Sequence, residues 1–217
     1  MSEESSVLSA EHFRYIAEHT RPEDEFLLAL KDAARAEGIR PIWIAPEQAS
    51  FMQILLRLAG AREVVEVGTL AGYSAIVMAR ALPDQGRVRT IELEPRHADF
   101  AERWIAKSDV AGRIEVHRGA GLDVLPRFES LSADAAFLDA DKDSYPAYVR
   151  ECLRILRPGG LVMADNALAF GQLLDEHPAD REVPAIRAFN DLVARSPELE
   201  AVIVPLGDGV WVARKRS

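Results

Sequence analysis

An acidic cluster and an Asp-Asn pair follow short apolar runs: Phe137-Leu138 leads into Asp139-Ala140-Asp141-Lys142-Asp143, and Leu161-Val162-Met163-Ala164 leads into Asp165-Asn166. If both runs are neighbouring β-strands, Asp139, Asp165 and Asn166 bring three hard oxygen donors into one small volume. Two carboxylates at close range repel one another unless a cation or a proton lies between them. Mg2+ suits this donor set because it prefers oxygen and keeps positions open for water or substrate; Mn2+ or Ca2+ would use the same donors. Lys142, three residues past Asp139, would lie beside the ion. There, desolvation and neighbouring positive charge favour a neutral amine, able to take a proton from a metal-bound hydroxyl. The plainer role for acids at strand ends is helix capping, which suits Asp165 alone better than it suits the three together.

A second constellation lies earlier, in Glu66-Val67-Gly68-Thr69-Leu70-Ala71-Gly72-Tyr73-Ser74. Glycines between a strand and a helix let a ligand approach the main chain. The spacing is not G-x-G-x-x-G, and the acid Glu66 before the turn would repel a pyrophosphate but attract a cationic, phosphate-free ligand. S-adenosylmethionine, with a sulfonium and an ammonium group, is such a ligand. Glu92, at the tip of the next strand, is placed to accept hydrogen bonds from two ribose hydroxyls. Glu94 is its local competitor, but the following Pro95 assigns it to a helix start. Gly119-Ala120-Gly121 leaves room for a flat adenine ring, or else is a flexible turn into a helix.

These residues need strands to carry them. Apolar runs at 64–67, 88–92, 114–117, 135–139 and 161–165 alternate with helical stretches at 74–82, 95–108 and 145–156, which implies a mostly parallel sheet covered on both faces. A helix over 183–195 follows. Residues 200–204 and 210–213 then flank Pro205-Leu206-Gly207-Asp208-Gly209, a turn-rich segment suited to an antiparallel hairpin. Ahead of the first strand, residues 9–19 and 23–37 read as helices divided at Pro22, and a third begins at Pro46 and ends at Gly60. The prediction is an α/β, Rossmann-like doubly wound sheet of seven strands in a single domain, with a helical extension over 1–40 and a core over 41–217.

Composition narrows the partners. The 217 residues are 48% hydrophobic and 28% charged, with 26 basic against 35 acidic side chains and a net charge of −9. That balance repels a phosphate backbone and argues against nucleic acid. No apolar stretch approaches the roughly 20 residues of a membrane span, and the acidic N-terminus lacks a secretory signal, so a cytoplasmic location is expected. The single cysteine, Cys152, falls in an apolar helical run and reads as an inert core thiol.

Taken together, several motifs resemble those of the cation-dependent O-methyltransferases, the group that includes catechol O-methyltransferase and the caffeoyl-CoA O-methyltransferase-like enzymes. They are Val65-Glu66-Val67-Gly68-Thr69 with Gly72-Tyr73-Ser74, Phe137 to Lys142 with Tyr145, Leu156-Arg157-Pro158-Gly159-Gly160, and Asp165-Asn166. Ala45-Pro46-Glu47-Gln48 and Leu206-Gly207-Asp208-Gly209 extend the likeness, which covers about 41–216. The resemblance implies metal ligation by Asp139, Asp165 and Asn166, with Lys142 as general base. It also implies cofactor contacts from Glu66, Gly68, Thr69, Ser74, Glu92, Asp139 and Asp141, main-chain contacts near Ile44 and Gly121, a homodimer, and a small aromatic acceptor with vicinal hydroxyls. Three departures stand out: Ala49-Ser50 where relatives carry Gly-Gln, Gly119-Ala120-Gly121 for Gly-Pro-Ala or Gly-Asp-Ala, and Ala169-Phe170 where a Trp ordinarily walls the acceptor pocket. The competing readings are a nicotinamide-dependent dehydrogenase, disfavoured by the missing G-x-G-x-x-G, and a non-catalytic binding or dimerisation module, disfavoured by the complete acid set.

Overall fold

The structure is a computed structural model and describes residues 7–217. Asp24 caps the second helix, accepting a hydrogen bond from the Leu27 amide at 2.9 Å, and Pro46 opens the third, where its missing N–H costs nothing. These helices are α1 (Ala10–Glu18), α2 (Glu25–Ala36) and α3 (Pro46–Leu58). The alternating part follows: β1 (Glu63–Val67), α4 (Tyr73–Ala79), β2 (Arg87–Glu92), α5 (Pro95–Ile105), β3 (Ile114–Arg118), a one-turn α6 (Gly121–Val124), β4 (Ala133–Leu138), α7 (Tyr145–Ile155) and β5 (Leu156–Ala164). After α8 (Val183–Arg195) come β6 (Leu199–Val204) and β7 (Val210–Lys215).

All seven strands form one sheet in the order β3-β2-β1-β4-β5-β7-β6. Strands β1 to β5 pair in parallel, and the hairpin departs from simple succession: β7, not β6, lies antiparallel to β5, leaving β6 at the edge. Only β7 therefore runs against the other six. Side chains alternate across the central strands, Val64 and Phe137 joining one hydrophobic cluster and Val65 and Leu138 a second. Each such fully buried side chain is worth about 1.5–3 kcal/mol relative to exposure. Strand order reverses at β1, flanked by β2 and β4, so a crevice opens between the carboxyl ends of β1 and β4.

Helix α2 buries Leu27, Leu30 and Ala34 against this core, whereas α1 buries none of its residues. Among the described residues no helix is long and apolar enough to cross a membrane.

Candidate active site

The crevice is a cavity of about 460 Å³ at the carboxyl ends of β1, β2 and β4. Eight of the nine residues expected at a cofactor lie on its wall: Ile44, Gly68, Thr69, Ser74, Glu92, Gly121, Asp139 and Asp141. Its floor needs glycine. A Cβ on Gly68, whose φ is +101°, would lie 1.9 Å from the Asp139 carbonyl oxygen, and one on Gly121 would lie 2.6 Å from the Tyr148 ring. Glu92 accepts the amides of Thr69 at 3.1 Å and Leu70 at 2.8 Å on one oxygen and that of Glu94 at 2.8 Å on the other. These bonds fix the carboxylate before any ligand arrives. Glu94 is the N-cap of α5, as Pro95 suggested.

The ninth residue, Glu66, is fully buried one layer behind the wall. Its Oε1 accepts the Ser74 hydroxyl, which does face the cavity, while its Oε2 has no protein partner. Burial, opposed in part by hydrogen bonding, pushes the carboxyl up to about 8. An orphaned acid beneath a polar wall suits a ligand that arrives with positive charge. The Thr69 Oγ1 shares a 2.6 Å hydrogen bond with Thr90 inside the sheet, and its amide donates to Glu92.

The second half of the site lies at the tips of β4 and β5. Ladder hydrogen bonds continue one residue past each strand: the Asp139 amide donates to the Val67 carbonyl and the Asp165 amide to the Leu138 carbonyl, both at 2.9 Å. The two acids therefore stand on adjacent tips. Burial, and secondarily the charge of Asp139, raises the Asp165 carboxyl to about 7. Gln48, from α3, donates to Asp165 Oδ1 at 2.7 Å. Lys142 is buried, with Nζ 3.2 Å from Asp139 Oδ1 and donating to the Tyr145 hydroxyl at 2.7 Å, which in turn donates to the Leu138 carbonyl. Nζ is thus turned toward Asp139 and Tyr145, not toward solvent.

Asp139, Asp165 and Asn166 fit a hard divalent cation. All three offer oxygen, and a cation would favour the charged form that burial chiefly, and the charge of Asp139 secondarily, disfavour at Asp165. Asp139 and Asp165 are the two acids at the strand tips and Asn166 adds a neutral side-chain oxygen; among the described residues no group of three His, Cys, Asp or Glu side chains forms a metal cluster. Strained backbone gathers here as well: Leu70, Asn166, Ala169 and Phe170, four of the five non-glycine residues with positive φ among those described, flank the two halves of the site.

Sequence reasoning assigned no role to Gln48, Tyr145, Tyr148 or Asp208. Tyr148 donates to Asp141 Oδ1 at 2.6 Å, and Asp208 accepts the Asn166 side-chain amide at 3.0 Å. The strings that contain Gln48, Tyr145 and Asp208 stood out as motifs, but the partners are visible only once the chain is folded.

Both the sequence and the fold match known proteins. The family model described as O-methyltransferase matches residues 17–216. The chain is 37% identical over 195 residues to a catechol O-methyltransferase of Niastella koreensis, with 88% of each chain covered. It superposes on the O-methyltransferase of Bacillus cereus, solved in complex with SAH, with a TM-score of 0.85 and 33% identity over 95% of this chain and 97% of that one. For the O-methyltransferase TomG of Streptomyces achromogenes, solved with SAM, the TM-score is 0.85 and the identity 31%, covering 97% of this chain and 100% of that one. With the family model matched over nearly the whole chain and a relative 37% identical over most of its length, the protein belongs to the O-methyltransferase family.

Proposed function

We propose that the protein is an S-adenosylmethionine- and Mg2+-dependent O-methyltransferase whose acceptor is a small aromatic with neighbouring hydroxyls. The observation that carries this reading is the junction of the glycine-floored cavity with Asp139, which belongs both to the cavity wall and to the acid set beside Lys142. The SAM and SAH in the solved relatives support the donor, and the name of the Niastella relative supports the acceptor class. Family membership displaces the dehydrogenase reading.

In this account Glu92 takes the ribose hydroxyls, Gly119 to Gly121 receive the adenine, and Ser74 over Glu66 receives the ammonium of the amino-acid end. Asp139, Asp165 and the Asn166 amide oxygen would hold the divalent ion. When bound, that ion supplies Lewis-acid polarisation and a fixed direction for the acceptor oxygens. Lys142 takes the acceptor proton on Nζ as oxygen bonds to the methyl carbon and the carbon–sulfur bond breaks. Tyr145 keeps the amine in place, since its own proton is committed to the Leu138 carbonyl. Holding oxygen and methyl carbon in near-attack geometry can supply about 7–11 kcal/mol of the acceleration. The same reading takes the enzyme as a cytoplasmic homodimer.

The test is a transfer assay with labelled S-adenosylmethionine and Mg2+ on catechol, phenol and a hydroxycinnamoyl thioester bearing two adjacent hydroxyls. Vicinal diols should be methylated and phenol should not. Equal transfer to phenol would remove the two-oxygen acceptor.

A further inference from the structure

The turn between β6 and β7 lies remote in sequence from the acid set, yet it touches the supports of both donors contributed after β5. Asp208 Oδ2 accepts the Asn166 side-chain amide at 3.0 Å and the Phe170 main-chain amide at 2.8 Å. Main-chain bonds clamp the same two segments, Leu168 amide to Asp208 carbonyl and Ala167 amide to Gly209 carbonyl, both at 2.9 Å. The packing leaves no slack: a Cβ on Gly209 would lie 2.5 Å from Leu168 Cγ, and one on Gly207 would lie 2.3 Å from Oε1 of Gln48, the residue that holds Asp165.

A carboxylate accepts hydrogen bonds and donates none, so the side chain of Asn166 must present nitrogen to Asp208. Its oxygen is thereby turned the other way. A free asparagine amide can rotate by half a turn at little cost and offer a cation its nitrogen, which is no ligand. Asn166 also sits at φ +64°, a left-handed conformation that the clamp holds in place. We infer that Asp208 is a positioning residue for the metal centre, locking the Asn166 amide with its oxygen toward the cation, and that the same carboxylate oxygen ties Phe170 of the acceptor-side loop to that lock. The inference rests on the proposed cation site and adds to it a residue outside the ligand set.

The experiment measures Mn2+ binding by electron paramagnetic resonance on the intact protein, with S-adenosylhomocysteine binding by calorimetry alongside. Loss of a partner that orients a metal ligand typically costs about 10–100-fold in affinity, and Asp208→Ala should weaken Mn2+ binding by that factor while S-adenosylhomocysteine affinity stays within about twofold. Asp208→Asn removes the charge but keeps an oxygen that can accept from Asn166, and should stay within about threefold of wild type on the same scale. Added to Asn166→Ala, Asp208→Ala should produce no further loss. If Asp208→Ala does not fold, Asp208→Glu, which displaces the accepting oxygen by one methylene, carries the same expectation of weakened binding. Wild-type protein that binds no Mn2+ overturns the cation reading itself. Wild-type protein that binds Mn2+ while Asp208→Ala matches it, Asp208→Asn that loses as much as Asp208→Ala, or losses that add to those of Asn166→Ala, overturn the role of Asp208 alone.

Discussion

Replacing Glu66 with glutamine tests the electrostatic logic of the cofactor loop without touching the cavity wall. Burial raises the Glu66 carboxyl from an ordinary 4.5 to about 8 in the folded, ligand-free protein. Between those values the folded state binds more protons than the unfolded state, so stability must fall as pH rises. At 1.36 kcal/mol for each unit between the two values, the loss between pH 5 and pH 8 is about 3–4 kcal/mol, an upper value because water that reaches Oε2 would reduce it. Glutamine cannot ionise, and its oxygen still accepts the Ser74 hydroxyl. Urea unfolding of metal-free, ligand-free protein at pH 5 and pH 8 should therefore show a steep decline in the wild type and a much shallower one in Glu66→Gln. Some decline remains in the variant because Asp165, raised to about 7, acts in the same direction. Parallel pH profiles for the two proteins would refute the reasoning.

Three further outcomes follow from the same geometry. Lys142→Ala should lower turnover by about 10²–10⁴-fold while calorimetric affinity for S-adenosylhomocysteine is kept, because the proposed reaction gives the amine only a proton to handle and it does not line the cavity. Gly68→Ala places a methyl 1.9 Å from the Asp139 carbonyl at a φ of +101°, so it should cost more than about 1–3 kcal/mol in urea unfolding and weaken cofactor binding. Cys152 is buried and its thiol is pushed up to about 12 by burial, so a thiol reagent at pH 8 should label it only at the rate of unfolding.

What the sequence made legible was what lies close along the chain. The positions of Asp139, Asp165 and Asn166 just past strand ends could be read because each follows an apolar run in an alternating α/β pattern. Glu92 and Gly68 were readable for the same reason. The supports were not. Gln48 reaches Asp165 across 117 residues and Asp208 reaches Asn166 across 42, and no local pattern encodes such a contact. Depth was equally hidden: Glu66 was recognisable as an acid beside a glycine loop, but its place behind Ser74 depends on how α4 seats against β1. The placement of β7 between β5 and β6 escaped the reading because both hairpin strands carry similar apolar patterns, and either could pair with β5. Lys142 gave the opposite lesson. A lysine after a strand is ordinarily solvated, and only the fold buries it against Asp139 and Tyr145.

The most direct measurement of the central claim is methyl transfer from S-adenosylmethionine to catechol before chelation, after exhaustive treatment with EDTA, and after return of Mg2+. The oxygen-donor account predicts transfer that disappears with the ion and recovers with it. Turnover that persists unchanged in the chelated enzyme would contradict it, leaving Asp139, Asp165 and Asn166 without the role assigned to them.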